Sequence, residues 1–100
     1  MPSIKVILSA RAQADISRLY RFLLDKDALV AQRAIAAIRD AFLPLQAAPL
    51  MGRPVENHAG LRELVIEYGT SGYLALYRHE LASHTVVILA IKHQREDDYQ

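Results

Sequence analysis

Cationic side chains occur on predicted strands at positions where core packing alone does not require them. Arg62 and Arg78 each share a strand phase with apolar residues, and a charge on such a face must reach the rim, find a partner or mark a site. Two interpretations stay open for each arginine. The side chain either extends to the sheet edge and pairs with a nearby glutamate, or it belongs to a functional site.

The residues that follow the last predicted strand offer groups for proton transfer. His93 could donate or accept a proton near neutral pH, or be a half-buried histidine satisfied by a backbone group. Glu96 could be a general base or a partner for Arg95, and Tyr99 could stack on a base, donate a proton or pack. Strand ends and the loops beyond them are common places for function. The alternative for this segment is a solvated tail.

Composition excludes several kinds of chemistry. The chain of 100 residues has no cysteine, so no thiolate nucleophile, disulfide or cysteine zinc site is possible. No histidine pair with helical metal-ligand spacing, P-loop, dinucleotide glycine pattern or serine elbow occurs, and we assign no metal and no cofactor. A net charge of +1 is only weak evidence about partners, since a dedicated nucleic-acid-binding protein is usually more basic. We find no signal peptide and no apolar stretch of membrane-spanning length, and we expect a cytoplasmic protein without membrane contact.

The first half of the chain predicts a strand and two helices within one domain, residues 1–100. Alternating apolar residues indicate a strand over residues 3–8, and Ser9 is a helix N-cap. Helical spacing continues to about residue 25, and Asp27 caps a second helix whose apolar stripe begins at Val30 and ends at Leu45. The connection near Lys26 is so short that the two helices form an antiparallel hairpin.

The second half predicts a sheet. Residues 46–60 lack periodicity and form a long loop. Strands are expected over residues 61–68, 73–80 and 85–92, the last apolar on both faces and therefore central. The fold class is α+β with two layers: an N-terminal strand, an antiparallel helical hairpin, then a three-stranded antiparallel meander.

These segments together resemble the RelE/ParE superfamily of toxins from bacterial type II toxin–antitoxin modules. The resemblance covers nearly the whole chain, and it is carried by the order and spacing of its motifs rather than by any one of them. The motifs are Leu8-Ser9, Ala12, Asp15-Ile16, the loop Pro49-x-x-Gly52-Arg53-Pro54, Leu61-Arg62-Glu63-Leu64, Gly69-x-x-Gly72-Tyr73-x-x-Leu76-Tyr77-Arg78, and Ile91-Lys92-His93-Gln94-Arg95-Glu96-x-x-Tyr99.

The resemblance implies one of two activities. RelE-like members cleave messenger RNA on the ribosome, and ParE-like members poison DNA gyrase. A cognate antitoxin neutralises both, so oligomers are expected mainly as toxin–antitoxin complexes. An inactive member that only binds a partner is a third possibility.

For a nuclease, the resemblance assigns charge stabilisation to Arg62 and Arg78, acid or base roles to His93 and Glu96, and base stacking to Tyr99. We expect two further functional residues, Arg53 and Arg95. RelE-like ribonucleases resemble strongly basic proteins, whereas residues 39–60 here hold two arginines opposed by two carboxylates. This balance favours the ParE-like alternative.

Overall fold

A computed structural model describes residues 4–99. In chain order the elements are β1 (Lys5–Leu8), α1 (Ala10–Leu24), α2 (Ala28–Ala41), a 3₁₀ turn (Leu43–Gln46), β2 (Arg53–Pro54), β3 (Leu61–Tyr68), β4 (Ser71–Glu80) and β5 (Thr85–His93). The α+β prediction is confirmed. The predicted start of the first strand at Ser3 lies outside the described residues.

The sheet has five strands in the order β1-β5-β4-β3-β2. From β2 to β5, each strand pairs antiparallel with the next strand along the chain. β1 pairs parallel to β5, which makes the sheet mixed. The prediction of four strands was one short. It missed β2, because a two-residue strand ending in Pro54 shows no alternation and proline is tolerated only at a sheet edge.

Both helix starts follow from local cap chemistry. The Ser9 hydroxyl accepts a hydrogen bond from the Ala12 amide, and the Asp27 carboxylate accepts from the amides of Leu29 and Val30. Each cap satisfies amides that a helix start otherwise leaves without acceptors. The predicted stripe of α2 needs one correction: Val30 is 40% exposed, and the neighbouring Ala31 is buried. Spacings of three and four from Ala31 continue the buried stripe, whereas Val30 is one position out of phase.

The helical hairpin covers one face of the sheet, with α1 against β5 and α2 against β3. We call the opposite side of the sheet the open face. The core lies between the hairpin and the sheet, and its largest fully buried side chains are those of Tyr77, Ile38, Leu45, Ile88, Ile91 and Val86. Neither helix among residues 4–99 combines the length and apolarity that crossing a bilayer requires.

Candidate functional site

Strand register separates the residues predicted to form one site. Residues directly opposite each other across a strand pair share a face. Arg62 lies opposite the buried Tyr77 and therefore faces the helices, while Arg78 lies opposite Leu61 on the open face. His93 lies opposite Tyr73, four residues along β4 from Tyr77, which is about 13 Å at strand spacing. The expectation that these cations gather where the later strands finish is therefore wrong in its geometry.

Arg62 hydrogen-bonds to the backbone of the loop that precedes β2. Its Nη1 donates hydrogen bonds to the carbonyls of Leu50 at 3.1 Å and Gly52 at 2.7 Å. The buried Tyr77 fastens the same loop, because its hydroxyl donates to the Pro49 carbonyl at 2.8 Å and accepts from the Gly52 amide at 2.9 Å. Arg62 therefore has a structural part in holding this loop against the sheet.

Arg78 is held by a carboxylate two residues further along its own strand. Its Nη2 and Nε donate to Glu80 Oε1 at 2.6 Å and 3.1 Å. The hydrogen bond from Arg78 lowers the pKa of Glu80, and its positive charge adds to this effect. An incoming phosphate would have to compete with Glu80 for this guanidinium.

The hydrogen bonds of His93 fix which ring nitrogen carries the proton. The Arg95 amide donates to Nδ1 at 3.1 Å, so we assign the proton of the neutral ring to Nε2, which lies 3.1 Å from the Ser71 hydroxyl oxygen. In this tautomer the imidazole donates to Ser71 and cannot take its proton. A serine nucleophile activated by this histidine is therefore not assembled.

Glu96 ties the chain beyond β5 to the first helix. Its Oε1 accepts from the His93 amide at 2.9 Å, and its Oε2 accepts from Arg18 Nη1 at 2.8 Å. Partial burial acts to raise the pKa of Glu96, but the His93 amide and the Arg18 guanidinium outweigh burial and lower it. A cavity of about 570 Å³ opens beside this contact, and Arg95 and Lys26 are among its lining residues.

Tyr99 returns to the open face and binds a residue of β3. Its hydroxyl donates to Glu63 Oε2 at 2.7 Å, while Arg53 donates to Glu63 Oε1 from Nε at 3.0 Å. The ammonium of Lys92 lies 5.4 Å from the centre of the Tyr99 ring, within cation–π range. We call these four residues (Arg53, Glu63, Lys92 and Tyr99) the open-face cluster.

The open-face cluster shifts the titration of its own members. Partial burial acts to raise the pKa of Glu63, yet the hydrogen bonds from Tyr99 and Arg53 and the nearby positive charges lower it overall. Burial raises the pKa of Tyr99, and the hydrogen bond to Glu63 raises it further. At neutral pH the cluster therefore holds an ionised carboxylate and a protonated phenol.

Two of the predicted site residues, Arg53 and Tyr99, thus meet through Glu63. The interpretation from sequence had considered Glu63 only as a possible ion partner and had given Lys92 no role. The alternation of side chains along a strand could have placed Glu63 and Lys92 on the open face. Glu63 directly follows Arg62, and Lys92 directly precedes His93, so each points to the face opposite its neighbour.

Side chains of α1 replace a neighbouring strand along the outer edge of β5. Pairing with β1 ends at Ile88, and beyond it the Ile91 amide donates to Asp15 Oδ2 at 2.9 Å. Arg18 Nη2 donates to the Ile91 carbonyl at 3.3 Å and lies 3.5 Å from Asp15 Oδ1. These contacts fix the end of β5 and with it the positions of His93 and Glu96.

Residues 4–99 contain no group of three or more histidine, aspartate or glutamate side chains placed to hold a metal ion.

Comparison with known proteins places the chain in a family. A family model described as ParE toxin of type II toxin–antitoxin system, parDE, matches residues 6–98. Two toxins of Caulobacter vibrioides, named RelE3 and RelE1, are each 34% identical to it over 91 residues, which is 91% of this chain and 95% and 94% of theirs.

Solved structures agree with this placement. The chain is similar to one in the chromosomal ParDE toxin–antitoxin system of P. aeruginosa, with a TM-score of 0.76, 26% identity and coverage of 90% of this chain and 95% of that one. It is also similar to a chain of the RelBE2 toxin–antitoxin complex of Mycobacterium tuberculosis, with a TM-score of 0.68, 29% identity and coverage of 93% and 100%. We conclude that the chain belongs to the RelE/ParE family of toxins of type II toxin–antitoxin systems.

Proposed function

We propose that this toxin is ParE-like, arrests growth by binding DNA gyrase, and is neutralised by a cognate antitoxin. The observation that carries the proposal is that three arginines on the sheet, Arg53, Arg62 and Arg78, are already bonded within the chain. Arg53 is bonded to Glu63, Arg78 to Glu80, and Arg62 to two backbone carbonyls. Binding of a polyanion depends on cations that can neutralise its phosphates, and here each would first have to leave its partner.

Exposed apolar side chains at the tip of the helical hairpin support a protein target. Phe22 is 63% exposed and Leu29 is 52% exposed, and they lie on either side of the connection between the two helices. Leu24 and Val30, which are close to the same connection in sequence, are 42% and 40% exposed. A contiguous exposed apolar patch on a small protein often marks a protein interaction site, and these four side chains at the hairpin tip are our candidates for one. The match to a ParE family model and the structural similarity to a ParDE system agree with a ParE-like mechanism.

A ribosome-dependent ribonuclease is the second candidate, and the open-face cluster is the observation that favours it. The cluster combines a carboxylate, a phenol and two cations, which are types of group that attack by a 2′-hydroxyl can use for base, stacking and charge stabilisation. The Caulobacter relatives are also named RelE toxins. In this arrangement Glu63 would be the base candidate, and Tyr99 would have to leave it to stack on a nucleotide.

Induction in cells separates the candidates. Under our proposal, induction of the chain causes filamentation with a DNA-damage response, and Arg78→Ala and His93→Gln remain toxic. Phe22→Asp and Leu29→Asp abolish the arrest, while Leu81→Asp keeps it, because Leu81 is 75% exposed in the turn between β4 and β5, outside the helical hairpin. A rapid stop of translation with cleaved transcripts would support the ribonuclease. Unaffected growth at high expression of the folded chain would support an inactive binding role.

A further inference from the structure

The cavity beside the contact between Arg18 and Glu96 has apolar walls and a surplus of positive charge. It measures about 570 Å³ and lies between the second half of α1 and the turn that follows β5. Leu19 and Tyr73 form buried parts of its wall, with 5% and 4% of their surfaces exposed. Cavities of this size that combine apolar walls with a few polar groups are the usual form of a small-molecule site.

Two cations at this cavity have no anionic partner within residues 4–99. Lys26 and Arg95 are both exposed, and no carboxylate of the described residues lies within ion-pair distance of either charged group. The third cation, Arg18, is balanced by Glu96 at 2.8 Å and by Asp15 at 3.5 Å. The positive charge that the lining leaves unpaired therefore belongs to Lys26 and Arg95.

Two hydrogen-bond donors on residues of the lining have no acceptor. Nε of Arg18 is shielded from solvent and bonds to no atom of residues 4–99. The hydroxyl of the buried Tyr73 also makes no hydrogen bond within this part of the chain, and burial raises the pKa of Tyr73, so the hydroxyl keeps its proton at neutral pH. Buried donors without acceptors are uncommon and unfavourable. A ligand oxygen in the cavity would relieve this deficit after a small rotation of the Arg18 guanidinium.

We propose that this cavity binds a small organic acid, whose carboxylate pairs with Arg95 and whose aromatic or branched apolar body lies against Leu19 and Tyr73. A guanidinium can bind a carboxylate through two parallel hydrogen bonds. The Arg95 backbone is already held, because its amide donates to His93 Nδ1 at 3.1 Å. Binding therefore has to order little more than the Arg95 side chain. The inference rests on the cavity and not on the target of the toxin.

The charges around the cavity favour a singly charged ligand over a phosphate. Glu96 lines the cavity, and its hydrogen bonds with the His93 amide and Arg18 lower its pKa, so it is ionised at neutral pH. Each further negative charge on a ligand would be repelled by this carboxylate. The carboxyl end of α1, which precedes Lys26, also carries a partial negative charge. We therefore expect the ligand carboxylate on the β5 side with Arg95, and the apolar body on the α1 side.

Titration of the purified chain with 3-phenylpropionate, followed by amide chemical shifts, tests the proposal. We expect saturable shifts concentrated in residues 18–26 and 93–96, with a dissociation constant of about 1 mM or lower, the scale for a ligand of this size. Two probes are matched controls: 3-phenylpropionamide has the same shape without the charge, and inorganic phosphate has charge without an apolar body. Each should bind at least about tenfold more weakly than 3-phenylpropionate. Equal or tighter binding of either control, or shifts scattered over the surface, would overturn the proposal.

Variants then locate the carboxylate. Arg95→Gln should weaken binding of 3-phenylpropionate at least about fivefold. Arg33→Gln removes the same charge from an exposed position of α2 outside the cavity, and it should stay within about twofold of the parent chain. Both positions are exposed, so both variants should fold as the parent does. Equal affinities of the two variants would overturn the proposal. Growth arrest plays no part in this test, so a chain that binds no acid refutes this inference and leaves the proposed function standing.

Discussion

At the outer edge of β5, side chains of α1 bond to the backbone where a neighbouring strand would otherwise pair. This arrangement predicts that Asp15 is important for stability. Asp15 is 4% exposed, and its carboxylate accepts the hydrogen bond of the Ile91 amide, whose residue is fully buried. In Asp15→Ala that amide has no acceptor and no access to water. Arg18 would keep its bonds to Glu96 and to the Ile91 carbonyl, so the loss is concentrated on a single backbone donor.

The expected magnitude follows from that donor. A buried donor left without a partner costs about 1–3 kcal/mol, and hydrogen bonds to charged groups lie toward the upper end of the range. The ion pair with Arg18 adds little, because its atoms are 3.5 Å apart and the Arg18 side chain is 32% exposed. We therefore expect Asp15→Ala to lower the free energy of unfolding by about 2–3 kcal/mol. For a domain of this size that lowers Tm by roughly 10–20 °C.

Urea unfolding of the purified chain measures the effect, with Asp15→Asn as the matched control. The asparagine carbonyl can accept from the Ile91 amide, so Asp15→Asn should lose less than half of what Asp15→Ala loses. Amide exchange at Ile91 should accelerate in the alanine variant. Equal losses for the two variants, or a loss below about 0.5 kcal/mol for Asp15→Ala, would refute the assignment of Asp15 as the acceptor that replaces a strand.

The remaining predictions concern the open face and the loop before β2. Tyr99→Phe removes the hydrogen bond to Glu63 and should lower the urea-unfolding free energy by about 1 kcal/mol; an unchanged value would mean that the bond does not persist in solution. Gly52→Ala should destabilise by more than about 1 kcal/mol, since a Cβ there would lie 2.6 Å from Tyr77 Cε1 and 2.9 Å from the Glu63 carbonyl oxygen; parental stability would contradict this packing. The folded-state pKa of Glu63 is below its ordinary value of about 4.5, so the stability it contributes is present above that pH and is lost as the pH falls through the lowered pKa. Glu63→Gln should therefore unfold with a weaker pH dependence below about pH 4.5, and an identical acid profile would contradict the coupling.

Local patterns were sufficient for much of the fold. The bounds of β3 agree with the alternation of its apolar residues, and Ser9 and Asp27 cap the helices as their chemistry predicts. These features depend on neighbours in sequence. β2 could not be predicted in this way, because two residues carry no period and their strand exists only through pairing with β3.

The candidate site was harder to predict, because the face of the sheet on which a side chain lies is fixed only by how the strands pair. Arg62 and Arg78 both share a phase with leucines, but Leu64 is buried under the helices while Leu76 lies on the open face. Apolar residues on both sides of the sheet made the two phases look alike. The contact of Tyr99 with Glu63 joins positions 36 residues apart, and no local rule selects it.

Gyrase activity measured with purified components tests the central claim most directly. The proposal predicts that the purified chain inhibits supercoiling of relaxed plasmid by gyrase, that Arg78→Ala inhibits equally, and that the antitoxin restores supercoiling. Full supercoiling in the presence of the folded chain, together with cleavage of messenger RNA on purified ribosomes that is lost in Glu63→Gln, would contradict it and establish the ribonuclease instead.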